Sequence, residues 1–224
     1  MRVLATLCAL LLAGGAARAQ HAISFPTRDG GLIYADVYGA GARTVVLAHG
    51  GRLNKGSWRE QAGVLVAAGY RVLAFDFRGI GQSRGPGQSD LETAPLQLDV
   101  LGAIDYLRRT GAKSVDVIGA SMGGSAAADA DIASPPGLIH RLVLLGAAPD
   151  GPAGQLKCPT LFIVARDDAS GDGPRLPGIR AKFAQAPQPK RLVIVDGSAH
   201  AQFLFGTDQG ERVLKEIMDF LQAR

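Results

Sequence analysis

Six apolar, β-rich runs separated by helical stretches constrain this chain more than any other feature. The runs are 44–48, 71–75, 114–118, 141–146, 160–165 and 192–195. Apolar on both faces, they read as buried strands joined by crossovers, which requires a mainly parallel, twisted sheet with helices on both sides. The helical segments between them include one with Trp58, Val64 and Leu65 on an apolar face ending near Gly69, one over 91–109 that stops at Gly111, and an Ala-rich stretch over 124–132. A short helix near 179–185 and an amphipathic helix over 209–221 follow. Two short alternating segments around Arg28-Asp29-Gly30-Gly31 predict an antiparallel hairpin at the N-terminal edge. The expected fold class is therefore α/β.

Between the third run and its helix lies Gly119-Ala120-Ser121-Met122-Gly123, a G-x-S-x-G sequence. In a chain with 30 glycines this pattern is expected by chance in roughly 0.2 copies, so only its setting gives it weight. Strand, G-x-S-x-G, helix is that setting: the glycines permit a sharp, strained turn that leaves Ser121 exposed at the strand end. In a parallel sheet, ligands sit beyond the carboxyl ends of the strands. His49, Asp76, Ser121, Asp168 and His200 each follow a strand directly or within a few residues, so they are expected on one rim.

A serine hydroxyl becomes a good nucleophile at neutral pH only with a base beside it. Of four histidines, His21 stands near the start of the mature chain, His140 precedes a strand in a surface turn, and His49 leads a Gly50-Gly51 turn that it is expected to shape. His200, in the loop after the last strand, is the favoured base. A carboxylate is then required to orient the imidazole. Asp168 is favoured, with Asp167, Asp172 and Asp150 as alternatives. For the oxyanion of acyl transfer, the Met122 N–H at a helix N-terminus and the Gly51 N–H are the best donors, with Arg52 and Leu53 nearby. Leu53, Trp58, Met122 and Phe203 are candidates for an apolar pocket, or equally for core.

The ends of the chain and its composition bound the rest. Met1-Arg2, a short apolar run over 3–13 and Ala17-Arg18-Ala19 read as a secretory signal peptide over 1–19, followed by a single domain over 20–224. The run is too short to span a membrane, so no stable insertion is expected after cleavage. Losing Arg2 and Arg18 lowers the formal net charge from +4 to +2, without any block of like charges, and no nucleic-acid partner is indicated. Cys8 leaves with the leader. Cys158 alone remains, so no internal disulfide is possible, and it is expected to be a half-buried structural thiol.

Taken together, His49-Gly50-Gly51, the segment from Asp76 to Ser83, Gly119-Ala120-Ser121-Met122-Gly123, Asp168 and Gly197-Ser198-Ala199-His200 resemble the α/β-hydrolase superfamily in identity and in order. The resemblance covers essentially 23–224. It implies Ser121 as nucleophile, His200 as base, Asp168 as orienting acid, and the backbone N–H groups of Gly51 and Met122 as the oxyanion hole. It implies no metal or organic cofactor. Two departures stand out: Ala165 where glycine is common, and only a short turn over 147–160 where many members insert a helical cap. The expected protein is thus a capless, exported serine hydrolase, periplasmic or secreted, with an open site for small-molecule carboxylic esters. A serine peptidase or an acyltransferase on the same residues is the alternative, and a non-catalytic binding protein the remaining one. Acyl and leaving-group preference and oligomeric state are not readable.

Overall fold

A computed structural model describes residues 20–223, and the signal peptide expected over 1–19 lies outside the described residues. Eight strands form one sheet in the order β1-β2-β4-β3-β5-β6-β7-β10. The hairpin β1 (His21–Pro26) and β2 (Leu32–Tyr38) is antiparallel, and β2 joins β4 (Arg71–Phe75) antiparallel as well. The remaining pairings are parallel: β3 (Arg43–Ala48) lies between β4 and β5 (Ser114–Ala120), and β6 (Arg141–Leu145), β7 (Thr160–Ala165) and β10 (Lys190–Val195) extend the other side. Two-residue strands β8 (Ala169–Ser170) and β9 (Gly173–Pro174) make a separate ribbon.

Alternation along each strand divides the core into two layers. Val46 and Ala48 of β3 face a cluster that includes Val100 and Ile104 of α2 (Gln97–Arg109), Ala127 of α3 (Met122–Ala133) and Ile179 of α4 (Arg175–Gln185). Val45 and Leu47 face the opposite layer, with Leu65 of α1 (Arg59–Ala67) and Val213, Ile217 and Leu221 of α5 (Gly210–Gln222). The last three recur every four residues, as one helix face requires. The mainly parallel sheet and the helices on both faces are those the apolar runs imply, and the edge hairpin is the one implied by the alternating segments around Arg28-Asp29-Gly30-Gly31. Between β6 and β7 there is only one 3-10 turn, Ala153–Gln155, and no cap.

Element boundaries differ from the sequence reading where local turn chemistry intervenes. The helix expected from residue 91 starts at Gln97, because Asp90 captures the Glu92 N–H and the Thr93 hydroxyl in a turn and Pro95 disfavours helical geometry at Ala94. The Pro/Gly stretch after β7 is partly ordered: it forms the β8–β9 ribbon, and α4 begins at Arg175, with Pro177 tolerated in its first turn. Val64 is exposed rather than on the apolar face of α1, and Cys158 is fully buried, where burial pushes its thiol pKa up.

Candidate active site

All the loops that matter leave the same edge, the carboxyl ends of the parallel strands. The chain passes from β3 to β4 on one side and then returns to β5 on the other, so a crevice opens between the ends of β3 and β5. Ser121 closes β5 there with φ 49 and ψ −122, a conformation costly for a residue with a side chain. The turn depends on its flanking glycines. A Cβ on Gly119 would meet the Gly123 carbonyl oxygen at 2.4 Å, and one on Gly123 would meet the Ala48 and His49 carbonyl oxygens at 2.5 Å. Only bare backbone allows α3 to approach the sheet this closely.

His200 lies between Ser121 and Asp168. Its Nε2 is 2.8 Å from Ser121 Oγ, and its Nδ1 is 2.8 and 3.0 Å from the two Asp168 carboxyl oxygens. Asp168 is completely buried, whereas Asp167, Asp150 and Asp172 are exposed and do not meet the ring. With Nδ1 donating to Asp168, Nε2 is left to accept the Ser121 hydroxyl proton. The close fit depends on Gly146, just past β6. A Cβ there would stand 3.1 Å from His200 Nδ1 and 3.2 Å from Asp168 Oδ2, and its φ of +56 itself favours glycine. Sequence reasoning did not single out Gly146, since a glycine after a strand carries no distinctive signal.

The loop after β3 is held from both ends of one residue. His49 is fully buried, its Nε2 accepts the Phe77 N–H at 3.2 Å, and Nδ1 donates to the Gly50 carbonyl at 2.8 Å. Burial lowers the His49 pKa and keeps the ring neutral for these two roles. On the other side, Gly50 donates its N–H to Gln202 Oε1 at 2.9 Å, while Gln202 Nε2 donates to Ser57 Oγ at 2.9 Å. A trans peptide points its C=O and N–H in opposite directions. With the Gly50 carbonyl turned to His49, the Gly51 N–H of the same peptide points away from that ring. Gly51 packs against Met122, whose own N–H at the start of α3 has no acceptor within the helix. Gln202 was missed in the sequence, where one glutamine in a loop signals nothing.

Gly51, Ser121, Met122 and His200 line a cavity of about 520 Å³. Leu53 and Phe203 lie on its walls, and Phe203 is 59 % exposed at the rim. Trp58 does not take part: it is wholly buried and packs edge-on against Phe205, because the Lys55–Trp58 turn points it into the core. Among the described residues no group of His, Cys, Asp and Glu is placed to hold a metal ion, and no helix is long and apolar enough to cross a membrane.

Residues 43–211 match the family described as the alpha/beta hydrolase fold, and the chain belongs to it. It is 36 % identical over 135 residues to a 2-hydroxy-6-oxononadienedioate/2-hydroxy-6-oxononatrienedioate hydrolase of Cupriavidus pinatubonensis, a match spanning 57 % of this chain and 44 % of that protein. The chain thus spans less than half the length of that curated relative. Among solved structures, an esterase of Exiguobacterium antarcticum superposes with a TM-score of 0.72 at 18 % identity, covering 89 % of this chain and 99 % of that one. A dienelactone hydrolase of Anabaena variabilis superposes with a TM-score of 0.74 at 25 % identity, covering 91 % and 97 %.

Proposed function

We propose that this hydrolase-family protein is an exported serine hydrolase that cleaves carboxylic esters through an acyl-enzyme. The observation that carries this reading is the continuous line from Ser121 Oγ through His200 Nε2 and Nδ1 to the buried Asp168, with both links at 2.8 Å. Ser121 Oγ attacks the ester carbonyl while its proton passes to Nε2, and Asp168 stabilises the imidazolium that results. The Gly51 and Met122 N–H groups receive the oxyanion in a geometry set before substrate arrives. His200 then returns the proton to the departing alkoxide, the acyl-Ser121 ester forms, and water activated by His200 hydrolyses it. Support for an ester as substrate comes from the cavity: it opens directly to Ser121, and no cap separates it from solvent.

Hydrolysis of p-nitrophenyl esters from acetate to palmitate, with Ser121→Ala as control and fluorophosphonate labelling in parallel, tests the reading. Activity on the shorter esters that vanishes in the variant is the expected result. A wild-type protein inert to both esters and label would overturn it. Export rests on the leader pattern over 1–19, and the corresponding expectation is a mature secreted protein whose N-terminal sequencing begins at Gln20.

A further inference from the structure

Of the two spaces that reach Ser121, the one it shares with Gly51 and His200 is one-sided in charge. Two arginines, Arg52 and Arg175, line it, and no aspartate or glutamate does. Four arginines away from the cavity are committed to protein partners: Arg78 to Asp29 and Asp99, Arg28 to Asp105, Arg191 to Glu216, and Arg71 to the Leu107 and Thr110 carbonyls. Arg52, in the loop after β3, has no hydrogen bond or ion pair among the described residues. Arg175 is anchored through its backbone N–H to the Asp168 carbonyl at 2.9 Å. Its Nε is buried without a hydrogen-bond partner, 3.5 Å from Asp168 Oδ1, and its two terminal nitrogens are bonded to nothing among the described residues. Asp168 is already engaged by His200 and leaves those terminal donors over.

Two guanidinium groups face one cavity with no carboxylate on its wall; Asp168, behind it, pairs with the Arg175 Nε but is shared with His200, so Arg52 and the Arg175 terminal nitrogens still draw anions and offer a fork that matches a carboxylate. Resting on the ester-hydrolase reading, we propose that the substrate is itself anionic: an ester that carries a second, free carboxylate, which Arg52 and Arg175 hold while Ser121 attacks the ester carbonyl. The apolar wall of Leu53, Met122 and Phe203 then contacts the carbon skeleton between the two groups. A second space that also reaches Ser121 and Arg175 is lined by Asp150 and Asp172 as well as Lys182, whose Nζ is bonded to the Asp150 and Gly151 carbonyls. Its mixed charge gives no comparable reason to receive a carboxylate.

The test compares matched esters that differ in one charge: 4-acetoxybenzoate against phenyl acetate, and mono-p-nitrophenyl adipate against p-nitrophenyl hexanoate. For at least one pair, kcat/KM should favour the anionic ester by about tenfold or more at low salt, mainly through KM, and added salt should shrink the preference. Arg52→Gln and Arg175→Gln should each lower the anionic-to-neutral ratio severalfold, with Arg175→Lys falling between. Using the ratio removes any general effect of Arg175 on Asp168. Neutral esters matching or beating their anionic partners in both pairs, or ratios indifferent to both substitutions, would overturn the proposal. Calorimetric titration of benzoate into Ser121→Ala reads the arginines without turnover. Binding that is lost on adding Arg52→Gln or Arg175→Gln supports the anion site, and absence of binding overturns it. Benzoate binding in a protein that neither hydrolyses esters nor takes up fluorophosphonate would sink the ester-hydrolase reading alone.

Discussion

Gln202 Oε1 accepts the Gly50 N–H at 2.9 Å across 152 positions of sequence, binding the loop that carries His200 to the loop that carries Gly51. The amide's other end donates to Ser57 Oγ, which in turn donates to the Asn54 carbonyl, so the whole turn after β3 is stitched to one side chain. Because Gln202 is buried, deleting it leaves the Gly50 N–H without a partner in a dry place.

Replacing Gln202 with Ala should therefore loosen the Gly50–Gly51 peptide and weaken oxyanion stabilisation. The expected outcome is a kcat lower by about tenfold with KM changed much less, and a loss of roughly 1–2 kcal/mol in stability. Steady-state kinetics and a denaturant melt check this. An unchanged kcat would show that the loop keeps its shape without the amide.

The acid should be identifiable by paired substitutions. Asp168→Asn should lower kcat by at least about 10³-fold while the fold survives, since the asparagine amide favours the wrong imidazole tautomer. Asp167→Asn, at an exposed side chain, should stay within about twofold. The pair is read in one ester assay, and equal effects at the two positions would reject Asp168.

Strain at Ser121 predicts a trade between stability and activity. Both Ser121→Ala and Ser121→Gly should be inactive, but glycine accepts a φ of 49 freely and alanine does not. The glycine variant should be the more stable of the two by about 1 kcal/mol. A chemical denaturation series comparing them is sufficient, and an alanine variant as stable as the glycine one would show that the elbow relaxes.

Gly146→Ala should damage both properties at once. The new methyl group would stand against His200 Nδ1 and Asp168 Oδ2 and would sit at a positive φ. About 1 kcal/mol of stability and at least tenfold in kcat/KM should be lost. Wild-type kinetics in this variant would mean that the His200–Asp168 contact tolerates displacement.

His49 makes stability sensitive to acid. Burial, opposed by its bond to Gly50 and by the Asp76 charge, lowers its pKa in the folded state. The unfolded chain therefore binds the proton more readily, and the stabilisation from neutral His49 is full above about pH 6.5 and is lost as pH falls below it toward the folded-state value. The slope from this one group cannot exceed about 1.4 kcal/mol per pH unit. His49→Asn should be less stable at neutral pH but lose less on acidification. Melting curves from pH 7.5 down to 5 for both proteins measure the difference, and parallel curves would remove His49 as the source.

Much of the architecture is legible in the sequence. Apolar runs, helical periods and the G-x-S-x-G turn are patterns within a few consecutive residues, and burial on both faces of a strand leaves its mark directly in composition. The order of Ser121, Asp168 and His200 along the chain, each past a strand, was readable for the same reason. The helix start at Gln97 and the ribbon at 169–174 were not, because side-chain capture at Asp90 and strand pairing across two residues compete with weak local preferences.

The sequence by itself determined the layers of the fold, the strained serine turn and a short list of polar residues on one rim. Tertiary structure alone decided which of them touch. It put Asp168 rather than its neighbour Asp167 against His200, 32 residues away, and buried Trp58 instead of giving it to the cavity. It left Gly146 as the empty space in which that contact fits, made Gln202 the strap across the β3 loop, and placed Arg52 and Arg175 on the wall of the cavity at Ser121. Such pairings follow from the packing of distant segments, where distances of tenths of an ångström decide contact, and no local pattern of residue types encodes them.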